Sequence, residues 1–146
     1  IAEYDAFLTK QDPAFTVEEL EEAMQKVMDQ YAGGIGTHYQ FNEKQLAMAE
    51  EKIKKLQILA KGLAAADMHE LMFIYELKER LTVCLTVIAH LRARKETRWH
   101  SFAENLDYPE KSDAWLCYVN SKKNGDQITM IRRDLVKGGE TYEHRD

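Results

Sequence analysis

The segment from Asp67 to Trp99 carries the longest helical pattern in the chain and limits most strongly how the chain can fold. Asp67 and Glu70 form a capping box, which marks a helix N-terminus. The pattern predicts one helix of about 30 residues and roughly 45 Å. Its apolar residues cover most sides of the helix, which predicts a central position in a bundle. These residues are Leu71, Ile74, Leu77, Leu81, Val83, Cys84, Leu85, Val87 and Ile88.

Two further helices are expected before this one. A capping box opens a helix over residues 16–32, and Gly33 ends that helix because glycine readily adopts the left-handed C-cap conformation. Asn42 caps a second helix over residues 42–62. Residues 1–15 are weakly patterned and are expected to form an extended arm. The stripe of the second helix that is expected to be buried contains Leu46, Ala49, Ile53, Leu56 and Ala60.

The periodicity changes after Trp99. Two strand-like segments, 115–120 and 127–132, flank Asn124-Gly125, and Asn-Gly between such segments is a strong hairpin signal. The predicted fold class is therefore mainly α. We expect a three-helix bundle, running up-down-up as in spectrin, with a small C-terminal β-hairpin over about 115–132. All of it belongs to one helical domain, residues 1–146, with its third helix spanning 67–99.

Composition excludes several classes of function. The chain has 146 residues and a formal net charge of −5, which disfavours a general nucleic-acid-binding role. Its longest apolar stretch, Leu81–Leu91, is far shorter than the roughly 20 residues that a membrane span needs. Cys84 and Cys117 both lie in apolar runs, which predicts buried free thiols and a cytoplasmic location.

None of the motifs that usually carry chemistry is complete. Gly33-Gly34-x-Gly36 follows a helix rather than a strand, so a helix C-cap is favoured over a phosphate-binding loop. His69-Glu70 lacks the second histidine of a zinc protease, because position 73 is phenylalanine. The sequence has no Gly-x-Ser-x-Gly elbow and no CxxC pair. We therefore assign no catalytic, cofactor-binding or metal-binding residue.

The densest polar segment is Arg92–His100. Cations at the C-terminal end of a helix are favoured by its dipole, so simple helix termination is one interpretation. Two features exceed that role, since Arg98 stands beside Trp99 and Glu96 can neutralise one arginine while holding another. Arginine and tryptophan are enriched at interfaces. A domain interface is the favoured interpretation, with helix termination and direct catalysis as alternatives.

This segment is also where the sequence resembles a known family. Three motifs follow one another here: Arg94-Lys95-Glu96-Thr97-Arg98-Trp99, Asp107-Tyr108-Pro109-Glu110 and Asp113-x-Trp115-Leu116. In their order and spacing they resemble the C-terminal domain of the succinate dehydrogenase/fumarate reductase flavoproteins. Other stretches, Met28–Gly34, Asp67–Leu71 and Tyr75–Arg80, resemble the adenylylsulfate reductase alpha branch of that family. Where the family has paired aspartates, this chain has Ser112-Asp113.

The resemblance implies a helical domain that packs against a larger FAD-binding domain of the same polypeptide. It also implies an iron–sulfur subunit as a further partner. FAD belongs to the presumed parent protein, and the resemblance places no cofactor in this fragment. The resemblance makes six residues candidates for contacts at the domain interface. They are Arg94, Glu96, Arg98 and Trp99, together with His69 and Glu70 in the first turn of the long helix.

Two readings of the whole chain stay open on the sequence alone. The chain opens at Ile1 rather than at methionine, which indicates a fragment of a larger flavoprotein that is not catalytic by itself. The alternative is a stand-alone helical module that mediates protein interactions. A metal-binding bundle is the weaker third choice, because the ligand spacing is absent.

Overall fold

The computed structural model describes residues 1–136, and the polar segment 137–146 lies outside the described residues. The described part is mainly helical with a small antiparallel hairpin, so the predicted fold class is confirmed. In chain order the elements are α1 (Ala2–Thr9), α2 (Val17–Tyr31), β1 (Gln40–Phe41), α3 (Glu43–Ala60), α4 (Met68–Ala93), β2 (Glu104–Asn105), β3 (Cys117–Asn124) and β4 (Gln127–Asp134).

Three of the helices, α2, α3 and α4, pack on one another to form the bundle. The N-cap side chains of Thr16, Asn42 and Asp67 each accept a backbone N–H three residues on, as expected for these residue types. All five residues of the predicted α3 stripe are buried. Arg92, near the end of α4, binds Glu43 at the start of α3, so these two helices run antiparallel.

The N-terminal segment is a short helix, α1, where an extended arm was expected. Phe7 is buried against Tyr75 of α4, with the two rings edge to face and 6.1 Å apart. The Phe7 carbonyl accepts the Ala65 N–H at 3.0 Å. Lys78 of α4 binds Glu3 and lies over the Tyr75 ring. These tertiary contacts stabilise a helix that the sequence pattern alone does not indicate.

The long helix ends at Ala93, earlier than the predicted Trp99, because Arg94 adopts an extended backbone with φ −84° and ψ 106°. In an extended segment, alternate residues point to the same side. The side chains of Arg94, Glu96 and Arg98 can therefore meet, whereas a helix would separate them around its axis. The convergence of these three charges outweighs the good helical pattern of the sequence.

The hairpin spans 117–134, two residues beyond the predicted range at its end, and its turn is centred one residue later than expected. Asn124 pairs with Gln127, so the two central residues are Gly125 and Asp126. Gly125 has φ +62°. A positive φ at the first central residue is the II′ pattern, which places glycine at that position.

Two isoleucines of α3 provide a matched test of the core. Ile53 is 0% exposed and Ile58 is 66% exposed. We expect Ile53→Ala to lower the free energy of unfolding by about 2–5 kcal/mol, because the substitution leaves a cavity. Ile58→Ala should change it by less than about 0.5 kcal/mol. Urea denaturation of both variants measures the difference, and a larger loss for Ile58→Ala than for Ile53→Ala would show that α3 packs through its other face.

Candidate functional site

Glu96 is the centre of the candidate site, and its side chain is fully buried. Oε1 accepts Arg94 Nη1 at 2.7 Å and Arg98 Nε at 2.9 Å. Oε2 accepts Arg98 Nη2 and the Ser112 N–H, both at 2.9 Å. A carboxylate offers about four lone-pair positions, so all of them are filled. No acceptor site of Glu96 is left for a substrate.

The two arginines extend the network to the segment that leads into the hairpin. Arg94 donates to the Trp115 and Cys117 carbonyls at 2.7 and 2.9 Å. Arg98 donates to the Ser112 carbonyl at 3.0 Å. The guanidinium of Arg132, on β4, lies 4.2 Å from the centre of the Trp115 ring. One carboxylate therefore ties the end of α4 to the base of the hairpin.

Thr97 points to the opposite side of the same extended segment and is also buried. Its hydroxyl donates to the Tyr108 carbonyl at 2.8 Å and accepts the Asn105 N–H at 3.0 Å. Its own N–H donates to the Glu110 carbonyl at 3.1 Å. The Asn105 Oδ1 atom accepts the N–H of Asp107 at 3.0 Å. Residues 105–110 are thereby held against the segment that contains Glu96.

A two-residue parallel bridge joins this region to the loop before α3. Gln40 pairs with Glu104, and Phe41 pairs with Asn105. His38 and Tyr39 have φ of +53° and +61°, and Ser101 has φ of +70°. Such left-handed conformations are strained for residues other than glycine and persist only where the surroundings enforce them. All three strained residues lie within three positions of the bridge.

The outer side of this region is apolar. Trp99 is 71% exposed and Phe102 is 75% exposed. Among residues 1–136, six of the 21 large apolar side chains that are exposed fall in the short stretch 99–118. We call these six the junction surface: Trp99, Phe102, Leu106, Tyr108, Leu116 and Tyr118.

The six predicted interface residues are not in one place. Arg94, Glu96 and Arg98 form the buried network, and Trp99 is exposed beside it. His69 and Glu70 lie at the other end of α4, about 36 Å away by the rise of the helix. His69 is exposed against Phe73, with ring centres 4.8 Å apart. Glu70 accepts the Ala66 N–H at 2.7 Å and so has a local role at the helix N-terminus.

Sequence reasoning missed three contributors to the site, namely Thr97, Asn105 and Ser112. Thr97 and Asn105 act through hydrogen bonds with distant backbone groups, and Ser112 acts through its own backbone. Nothing in their spacing reveals these bonds. The one available signal is Thr97 itself, since a β-branched residue is less favourable in a helix than in an extended segment.

The glycine loop after α2 is shaped by its own chain. Gly33 has φ +74° and follows the helix end, as predicted for a C-cap. The Gly36 N–H donates to Asp29 Oδ1 at 2.9 Å. A Cβ at Gly34 would lie 2.4 Å from the Asp29 Cα. Asp29 thus fills the space that a bound phosphate would need.

Other sequence expectations concern metals, thiols and membranes. Among residues 1–136 no group of three His, Cys, Asp or Glu side chains is placed to hold a metal ion. Cys84 and Cys117 are free and half-buried rather than fully buried, and burial raises the pKa of the Cys84 thiol. No helix in the part of the chain that the structure describes is long and apolar enough to cross a membrane.

The electrostatics of Glu96 follow from its partners. Burial alone would raise the pKa of its carboxyl, but hydrogen bonds from Arg98, the Ser112 N–H and Arg94 outweigh burial and lower the pKa to about 2. Glu96 therefore stays ionised at any physiological pH. Removing one member of such a buried pair leaves an uncompensated charge and typically costs about 3–5 kcal/mol.

This lowered pKa makes stability depend on pH. As pH falls below about 4.5, an unfolded carboxyl takes up its proton before the folded Glu96 does, so the stabilisation is lost between about pH 4.5 and 2. The contribution at stake is about 3 kcal/mol. We expect Glu96→Gln to be destabilised near neutral pH and to approach the parent chain in stability near pH 3. Urea denaturation across pH measures this.

The matched control is Glu51→Gln, at an exposed carboxylate on α3. That variant should follow the parent chain at every pH. A constant gap between the Glu96→Gln variant and the parent chain from pH 7 to pH 3 would contradict the role given to the Glu96 charge.

Comparison with known proteins adds the family. The model of the fumarate reductase flavoprotein C-terminal domain matches residues 21–140. The adenylylsulfate reductase alpha subunit of Megalodesulfovibrio gigas is 34% identical over 98 residues, which are 66% of this chain and 15% of that protein. The chain therefore spans only a small part of this curated relative.

Solved structures agree with the sequence match. Adenylylsulfate reductase from Archaeoglobus fulgidus superposes with a TM-score of 0.85 and 33% identity, covering 97% of this chain and 24% of that one. An adenosine-5-phosphosulfate reductase in complex with sulfite superposes with a TM-score of 0.83 and 34% identity. The match covers 98% of this chain and 24% of that one. The E. coli quinol fumarate reductase superposes with a TM-score of 0.77 at 18% identity, which shows a shared fold. The match covers 97% of this chain and 25% of that one. The chain belongs to the family of fumarate reductase flavoprotein C-terminal domains, and its relatives include the alpha subunit of adenylylsulfate reductase.

Proposed function

We propose that this chain is the C-terminal helical domain of an FAD-dependent oxidoreductase of the adenylylsulfate reductase type. Its role is to pack against the FAD-binding domain of the same polypeptide. The observation that carries the proposal is the junction surface, whose exposed apolar side chains belong to the same stretch of chain as the buried Glu96 network. Trp99 and Phe102 are its most exposed members.

Exposed apolar surface of this kind usually marks an interaction site. Aromatic residues are also enriched at the centres of interfaces. The Glu96 network keeps Trp99 in place before any partner arrives, since the backbone on its N-terminal side is fixed by Arg94 and Arg98. A surface held in its bound shape loses less conformational entropy on docking than a mobile one.

The described residues themselves do not fit FAD. The loop that most resembles a phosphate cradle is occupied by Asp29. The cavity of about 560 Å³ between α4 and the hairpin is lined by Leu85, Ile88 and the paired charges of Glu50 and Arg92, without a glycine-rich turn. We therefore propose that FAD binds in the adjoining domain, and we derive no chemical step from this one.

Two further parts of the proposal concern the setting of the whole protein. One relative is a subunit alpha, which supports assembly with other subunits, and we propose an iron–sulfur subunit among them. The free thiols of Cys84 and Cys117 fit a reducing compartment, so we propose a cytoplasmic location.

The junction surface can be tested in the full-length gene product. We expect Trp99→Ser to lower the flavin bound per polypeptide and the thermal midpoint, because a polar side chain weakens packing against the FAD-binding domain. Flavin absorbance and a thermal scan of the purified protein measure both. The matched control is Ile58→Ser, an equally exposed apolar position on α3.

The control should leave the flavin content unchanged. Equal behaviour of the Trp99→Ser and Ile58→Ser variants would contradict the proposed contact. A full-length product that carries no flavin at all would instead favour the stand-alone interaction module.

A further inference from the structure

The outer face of α4 is uncovered along most of its length. Four apolar side chains lie on it at helical spacing, and each is at least 41% exposed: Met68, Met72, Val83 and Val87. Glu76 and Glu79 lie between them on the same face. At 100° per residue, the six positions fall within about 100° of arc, a continuous stripe of roughly 28 Å. We call these six residues the α4 stripe; His69 and Thr86 fall within the same arc.

The stripe lies opposite the core. Leu71, Ile74, Leu77, Leu81 and Ile88 are buried on the other side of α4. The sequence predicts a helix that is covered on most sides, whereas in the structure this face of α4 is bare. A helix that is apolar nearly all round is normally buried. The mismatch at Met68, Met72, Val83 and Val87 therefore indicates a missing neighbour.

The charges on the stripe indicate the charge that its neighbour must carry. Glu79 makes no ion pair with any residue in 1–136, and Glu76 lies 3.8 Å from Arg80 at its closest. The two cations nearby are already engaged by other helices, since Lys78 binds Glu3 and Arg80 binds Glu21. The middle of the stripe is thus negative, while both of its ends are apolar.

A second copy of this chain does not complement the stripe. In a symmetric antiparallel pair, the midpoint of one stripe faces the midpoint of the other. Glu76 and Glu79 lie at that midpoint, so such a pair would bring like charges together and destabilise the contact. A neighbour with cations at its centre attracts Glu76 and Glu79 and so stabilises the contact.

We propose that the α4 stripe binds an amphipathic helix of a separate polypeptide, with lysine or arginine at its centre and apolar residues at both ends. This inference rests on the proposed function in one respect. Because the FAD-binding domain is assigned to the junction surface near the C-terminal end of α4, the stripe is left for another polypeptide. Packing a helix onto such a face requires apolar anchors about one turn apart, which Met68 and Met72 provide.

The test uses the full-length flavoprotein purified with the polypeptides that remain bound to it. A zero-length carbodiimide joins a carboxylate to a lysine amine only where the two are in contact. We expect mass spectrometry to identify Glu76 or Glu79 linked to a lysine of a second polypeptide. We also expect peroxide to oxidise Met68 and Met72 several-fold more slowly in the assembly than in the flavoprotein alone. Met48, a half-exposed methionine on α3, is the matched control.

Variants separate this inference from the proposed function. Glu76→Lys/Glu79→Lys should weaken retention of the second polypeptide by about tenfold or more, an effect that added salt reduces for the parent protein. Its flavin content should stay unchanged, because the junction surface is intact. Glu18→Lys/Glu51→Lys, at exposed carboxylates of α2 and α3, is the charge-matched control.

Several outcomes would overturn the inference. Links from Glu76 or Glu79 only to the same polypeptide would assign the stripe to the FAD-binding domain. Links between two copies of the flavoprotein would assign it to self-association. Equal oxidation of Met68, Met72 and Met48 with no link at all would show that the stripe is bare in the assembly.

Discussion

The structure of residues 94–118 depends on the hydrogen bonds made by the buried carboxylate of Glu96. We call this segment, which carries the Glu96 network and the junction surface, the junction. The carboxylate receives four hydrogen bonds from three groups, two of which are charged. A single side chain therefore fixes the end of α4, the loop that carries Ser112 and the base of the hairpin. Burial of a lone charge would be prohibitive, and the two guanidiniums make it favourable. The shape of the junction surface depends on these hydrogen bonds between Glu96 and the two arginines.

The bundle and the junction are stabilised by different kinds of interaction. The bundle obtains its stability from apolar side chains such as Ile53, Ile74 and Leu81, which are fully buried. The junction has little apolar core of its own and is held by polar groups whose partners lie far apart in sequence. Acid is thus expected to loosen the junction while the apolar core of the bundle is unaffected.

The sequence predicts what depends on local periodicity and fails where distant groups decide. Helical spacing identifies the buried stripe of α3, and Asn-Gly identifies the hairpin, because both signals lie within a few residues. The end of α4 could not be predicted, since Arg94–Arg98 form a good helical pattern and extend only because Ser112 and Trp115 provide acceptors. Phe7 likewise becomes helical through contact with Tyr75, 68 positions further along the chain.

The prediction of the functional residues shows the same division. Arg94, Glu96 and Arg98 could be identified as a group because the three charges lie within five positions. Their burial could not, because the residues that cover them belong to the following loop. The exposed face of α4 was visible as an excess of apolar residues, yet only the packed structure shows which side the bundle leaves bare.

The short parallel bridge between β1 and β2 has a consequence for how the protein is made. It joins Gln40 to Glu104, so the intervening chain, including all of α3 and α4, must be synthesised before the bridge can close. Closing so long a loop carries a large entropic cost unless the helices have already shortened it. We therefore expect the bridge to close after α3 and α4 have formed. The proposed docking surface around Trp99 is then completed only on a bundle that has already folded.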